Sequence, residues 1–168
     1  PNLFDPDAPN LDLYGGVGLL AAAVSDHFGI TSAGNASTGL STGVRMTSVE
    51  SDARASEFAK ENLADCRRAR AVAARVDRYL TRLRVDGNRL GRATVVLDPP
   101  RSGAGKGVVD GLSALGPAQV VYVACDPVAL ARDLAIFARN GYRLSGIRAF
   151  DLFPNTHHVE AVASLVRG

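Results

Sequence analysis

Cysteine is scarce in this chain: Cys66 and Cys125 are the only two. They can form at most one disulfide and cannot supply a four-thiolate metal site. A reduced, cytoplasmic setting is the simpler expectation. Long apolar runs are missing as well; none approaches the length of a membrane span, and no signal peptide opens the chain. There is no initiator methionine, and the opening "PNLFDPDAPN" reads as a loop, so the chain is expected to be a fragment of something longer. No internal repeat occurs. What is present, 168 residues of which 46% are hydrophobic and 21% charged, suits one globular domain with a full core.

Charge is nearly balanced overall but unevenly spread. Nine arginines stand against Asp77 and Asp86 between Arg67 and Arg92, a local +7 that leaves −5 for the rest of a chain whose net charge is +2. Such a stretch can touch phosphates. No run of aromatics interleaves the arginines, so a solvated surface explains them equally well.

Apolar runs alternate with helix-like stretches, the pattern of a mostly parallel sheet covered on both faces. Strands are expected near 10–14, 45–50, 70–76, 93–98, 120–125, 142–150 and 158–167. Helices are expected over 18–27, 51–64, 107–115 and 127–140, with Ser51 as a cap and acids in the first turn of the second. Only "DLFPNTHH" separates the last two strands, which predicts an antiparallel pair at one sheet edge. The fold class is therefore α/β, a doubly wound sheet of about seven strands. The Gly/Ser/Thr-rich stretch 29–43 reads as a flexible loop at the end of the sheet opposite the ligand crevice.

Three strand ends carry the grammar of a nucleoside site. "LDLYGGVGLLA" leads from a strand into a helix, and Gly16 and Gly18 let the backbone approach a ligand closely. Glu50 closes the second strand, where a carboxylate can grip a ribose diol. Asp77 closes the third and can accept from an adenine amino group. A dinucleotide fold has the same grammar, so the cofactor stays open at this point.

"VVLDPPRSG" ends the fourth strand, and its paired prolines present Asp98 and Arg101 in a fixed geometry. Asp-Pro-Pro is common at this point in methyltransferases acting on nucleobases. Those that methylate exocyclic amines usually follow it with an aromatic residue; here Arg101 follows, which leaves carbon as the target. Uracil carbon 5 is a poor nucleophile until a thiolate adds to carbon 6. A base must then remove the carbon 5 proton so that the thiol can leave. "VVYVACDPVAL" supplies Cys125 at a strand end, with Pro127 in the first turn of the next helix. "DLFPNTHHVE" supplies Glu160.

Together "DLYGGVG", "DPPRSG", "VVYVACDP" and "DLFPNTHHVE" resemble, in order, the RNA (uracil-5-)-methyltransferase family, which makes 5-methyluridine in tRNA and rRNA. The resemblance implies a Rossmann-like, S-adenosylmethionine-dependent catalytic domain over residues 1–168, without the N-terminal RNA-binding region of full-length members. It implies Cys125 as nucleophile, Glu160 as proton-abstracting base and Asp98 as a bridge between cofactor and uridine. Tyr14, Gly16, Gly18, Leu19, Glu50 and Asp77 would hold S-adenosylmethionine, and Arg101 would position the loop or the RNA. The chain departs from the family pattern at Gly15, where Cys is common, and at Ala124-Cys125-Asp126, where Ser-Cys-Asn is common. Cys66 is read as incidental within a helix. Adjacent His157 and His158 point to opposite faces of a strand, and no metal is expected. RNA is the expected partner of a probable monomer without membrane contact. A non-catalytic cofactor- or RNA-binding module and a Rossmann-type oxidoreductase are the alternative classes.

Overall fold

The computed structural model describes residues 3–30, 43–152 and 159–168. These form β1 (Asn10–Leu13), α1 (Leu19–Ile30), β2 (Met46–Glu50), α2 (Ala53–Asn62), β3 (Ala69–Ala73), α3 (Val76–Val85), β4 (Thr94–Leu97), α4 (Gly105–Leu115), β5 (Gln119–Ala124), α5 (Pro127–Arg139), β6 (Tyr142–Phe150) and β7 (Glu160–Arg167). One seven-stranded sheet results, in the order β3-β2-β1-β4-β5-β7-β6. The first five strands run parallel, whereas β7 is antiparallel to both β5 and β6. The expected doubly wound sheet with an antiparallel edge pair is what forms, with the last strand slotted inside the edge rather than on it.

The apolar runs are explained by double coverage. All four residues of β1 and of β4 are buried, as befits central parallel strands with helices on both faces. The larger core joins the sheet to α3, α4 and α5 through Leu80, Val109, Leu112, Tyr122 and Phe137. A smaller core on the other face gathers Phe4, Ala21, Met46, Leu63 and Val96. β5 and β7 alternate instead: Val120, Tyr122 and Ala124 are buried with Ala161, Ala163 and Leu165, and their neighbours are half-exposed.

Several local expectations are corrected. β3 stops at Ala73, and a helix that the arginine content obscured begins at Val76. Its apolar residues Val76, Tyr79, Leu80 and Leu83 recur at helical spacing and pack on the core. The cap of α2 is Asp52, whose Oδ1 accepts from Ala55 N at 2.8 Å, and no acid lies in that first turn. Cys66 lies in the turn after α2 and packs against the smaller core. Residues 31–42 of the Gly/Ser/Thr-rich stretch, and His157 and His158, lie outside the described residues.

Candidate active site

Strand order reverses between β1 and β4, so the loops leaving their carboxyl ends diverge and open a crevice. The loop after β1 turns sharply. Tyr14 sits at φ 62°, a left-handed conformation that is strained for a bulky side chain and adopted by no other non-glycine residue among those described. Gly16 follows at φ 53°, and its N–H donates to Glu50 Oε2 at 3.0 Å. Glu50 Oε1 accepts from Asp52 N at 2.8 Å and from Ser51 Oγ at 3.1 Å. One carboxylate thus joins the glycine turn to the end of β2. Gly18 faces protein instead: a Cβ there would lie 3.2 Å from Ala59 Cβ, so the turn packs flush on α2. Leu19 begins α1 and is exposed.

Gly15 has no room for a side chain as the structure stands. A Cβ at this position would lie 2.0 Å from Ser48 Oγ and 2.7 Å from Asp12 Oδ2 unless the Ser48 hydroxyl turned away. Asp12 was not singled out from the sequence. It is fully buried in β1 and accepts from Ser48 Oγ at 3.1 Å through Oδ2, with the Ala21 backbone N–H also facing the carboxyl. Burial foremost, and then the negative charges of Asp98 and Glu50, push its carboxyl up to about 6 against the opposing Ser48 hydrogen bond. A carboxylate in a strand that otherwise reads as core was the available signal.

A cleft of about 380 Å³ lies beside this turn, lined by Tyr14, Ser51, Arg75, Asp77 and the Ala104–Val108 start of α4. Asp77 does not close β3; it lies in the first turn of α3, where Arg75 donates to it at 2.9 and 3.1 Å. That arginine, foremost by its hydrogen bond, holds the Asp77 carboxyl below the usual range. Tyr14 is shifted upward by burial first and by Asp77 second. The α4 wall escaped the sequence reading because no motif marks Ala104–Val108.

Across the crevice, Asp98 follows β4, and its N–H donates to Leu13 O at 3.2 Å, tying the loop to β1. Pro99, Pro100, Arg101 and Gly103 line a small pocket together with Cys125 and Asp126. Cys125 is half-buried between β5 and α5. Asp126 caps that helix, its Oδ1 accepting from Ala129 N at 2.7 Å, with Pro127 in the first turn. Glu160 opens β7. Ala124 pairs with Ala161 in the antiparallel register, so residues 125 and 160 reach the same end of adjacent strands. The Asp98 carboxyl is pushed up by partial burial and then by the charge of Glu160, which puts the two acids within electrostatic reach. Asp98, Cys125, Glu160, Arg101, Glu50 and the glycine turn therefore share the carboxyl edge of the parallel strands. Among the described residues no group of His, Cys, Asp and Glu could hold a metal ion, and no helix is long and apolar enough to cross a membrane.

This arrangement suits a nucleoside-containing cofactor in the cleft and a thiol reacting beside two carboxyl groups. The chain is also similar to known proteins. The model of the family described as tRNA (uracil-5-)-methyltransferase matches residues 7–167. An uncharacterised RNA methyltransferase of Streptomyces avermitilis is 46% identical over 155 residues, 92% of this chain and 32% of its own length. One from Thermotoga maritima is 36% identical over 161 residues, 94% of this chain and 32% of its own. The crystal structure of Pyrococcus abyssi tRNA (uracil-54, C5)-methyltransferase in complex with S-adenosyl-L-homocysteine matches with a TM-score of 0.73 at 30% identity, covering 98% of this chain and 35% of that one. The chain spans about a third of the length of these relatives.

Proposed function

Since the chain belongs to the tRNA (uracil-5-)-methyltransferase family, we propose that residues 1–168 are the catalytic part of a longer RNA methyltransferase acting on carbon 5 of a uridine in tRNA or rRNA. The observation that carries this reading is the β5–β7 register, which brings residues 125 and 160 together beside the Asp98 loop.

The residues fit S-adenosylmethionine. The cleft offers a tyrosine, a polar rim and Asp77, and the space beside Gly16, where a Cβ would meet nothing within 4 Å, leaves room for a ligand next to Glu50. Tyr14, the backbone of Gly16 and Leu19, Glu50 and Asp77 would hold the cofactor, while Gly18 packs the turn on α2. When bound, it supplies an electrophilic methyl group.

The chemistry of the chain's own residues follows from uracil. The Cys125 thiolate adds to carbon 6, and the electrons of the C5=C6 bond move into an enolate that makes carbon 5 nucleophilic. Once carbon 5 carries the methyl group, Glu160 takes its remaining proton. The electron pair left behind restores C5=C6 and breaks the S–C6 bond, returning the thiolate. Asp98 would bridge cofactor and uridine; partial burial and the charge of Glu160 push its carboxyl up. Arg101, beside Cys125, would steady the loop or an RNA phosphate.

The test is Cys125→Ala in the full-length protein with uridine-containing RNA. Methylation and the covalent RNA adduct on denaturing gels should both vanish. An adduct that persisted in Cys125→Ala, or a wild type that methylated no RNA uridine at carbon 5, would overturn the proposal.

A further inference from the structure

The wall of the crevice formed by the loop after β4 is tied to one buried carboxylate that takes no part in the chemistry above. Asp133, two turns into α5, is fully buried. Its Oδ2 accepts from Tyr122 Oη at 2.7 Å, from Ala104 N at 2.8 Å and from Gly105 N at 3.2 Å. Its Oδ1 accepts from Nε and Nη2 of Arg132, both at 3.1 Å, and Arg132 Nη2 also donates to Ser102 O at 2.7 Å. The loop lies flush on these groups: at Gly103, φ 79°, a Cβ would lie 2.6 Å from both Arg132 Nη2 and Asp133 Oδ2.

The donors are revealing. Ala104 begins α4 and offers no side-chain cap of its own. The orphan N–H groups of that helix start are satisfied by Asp133, from another helix, where its negative charge also suits the α4 dipole. Burying a carboxylate is costly, and an apolar residue would hold α5 on the sheet as well. What an apolar residue cannot do is fix the loop backbone. Ala104 and Gly105 line the cofactor cleft, while Pro99 to Gly103 line the Cys125 pocket. The helix that carries the anchor starts two residues after Cys125.

We propose that Asp133, with Tyr122 and Arg132, is a positioning residue that keeps the Asp98–Gly105 loop in register with Cys125 and the cofactor cleft at once. This rests on the reading of Cys125 as nucleophile. A displacement of about 1 Å at a reacting centre is enough to cost on the order of a hundredfold in rate.

The full-length protein carrying Asp133→Asn is assayed against RNA containing 5-fluorouridine, whose fluorine cannot leave as a cation, so the methylated adduct on Cys125 is trapped. Per folded molecule, trapping should slow by roughly a hundredfold while KM for RNA stays within about threefold. Tyr122→Phe keeps the buried ring and both loop N–H bonds to Asp133, so it should fold where the first variant fails and slow trapping by about tenfold. Amide exchange at Ala104 and Gly105 should quicken in both variants, with β2 as the unchanged internal reference. Wild-type trapping rates together with wild-type protection at Ala104 and Gly105 would overturn the proposal. If the wild type itself forms no adduct, the cysteine reading falls instead, and the positioning role is then decided by amide exchange and the methylation kcat.

Discussion

The two ends of the crevice are built differently. At the adenosine end, as proposed above, Glu50 closes β2 with Ser51 after it, Arg75 and Asp77 stand at the start of α3, and Ser51, Arg75 and Asp77 are exposed. Apart from the Glu50 bond to Gly16 N, their hydrogen bonds are short-range ones to neighbouring turns, such as Glu50 to Asp52 N and Asp77 to Arg75. At the cysteine end, position depends on partners far away in sequence: β7 returning beside β5, and α5 reaching back to the loop after β4. Binding a cofactor tolerates a wet rim, because several modest contacts add up. Adding sulfur to one ring face and removing a proton from the same ring needs fixed distances, and fixed distances come from buried anchors.

The sharpest break of this comparison is Glu160→Gln in the full-length protein. The amide keeps shape and hydrogen bonding but cannot take the carbon 5 proton. Addition and methyl transfer should proceed while elimination stalls, so methylated RNA accumulates on Cys125 as a slow band and turnover falls by about 10²-fold or more. Normal turnover would show that the base lies elsewhere.

At the adenosine end the loss should be graded. Glu50→Ala removes the acceptor that holds Gly16 N and, on the proposed reading, a charge-assisted contact to the ribose. S-adenosylmethionine affinity should weaken by about 1.5–3 kcal/mol, with the variant still folded. Calorimetry that found unchanged affinity would remove Glu50 from the site.

What could be read from the sequence divides along the same line. The adenosine end is written in punctuation: a glycine turn after one strand, an acid at the end of the next. β6 was legible to the residue because its ends are marked by Gly141 and by the turn sequence that follows. The cysteine end was legible only as motifs, since nothing in "DPPRSG" or "ACDPVALARDL" announces that Asp133 bonds to Ala104 across 29 residues. Neither Asp133 nor Asp12 was singled out from the sequence. Both are invisible to periodicity, because their partners are set by tertiary packing. α3 was missed for another reason: its arginines mask an apolar stripe that a count by fours would have found, and Asp77 was assigned to a strand in consequence.

Asp12 sits between the two ends and responds to pH. Folded, it keeps its proton up to about pH 6, whereas the unfolded chain releases it near the ordinary value of 3.8. Between those values the folded state binds more protons, so stability falls as pH rises, and above about 6 the full cost is present. Asp12→Asn keeps an acceptor for Ser48 and removes the ionisation. It should be more stable than wild type by about 1–3 kcal/mol at pH 8, with the gap closing near pH 4. Denaturant titration at the two pH values measures this, and a gap independent of pH would show that Asp12 ionises in the fold as it does in the unfolded chain.

The smallest effect concerns Asp126, which touches both the cysteine end and ordinary helix physics. Its carboxylate caps α5 through Ala129 N at 2.7 Å, and its charge stands beside Cys125. These two roles separate by substitution. Asp126→Ala loses the cap and should destabilise the fold by about 1 kcal/mol, a drop in Tm of roughly 2–4 °C for a chain of this size. Asp126→Asn keeps an oxygen for Ala129 N and removes only the charge, so its stability should stay within about 0.5 kcal/mol of wild type. Thermal unfolding of the pair decides the matter. If Asn costs as much as Ala, the helix start depends on the charge of Asp126, through the α5 dipole, and not on the hydrogen bond.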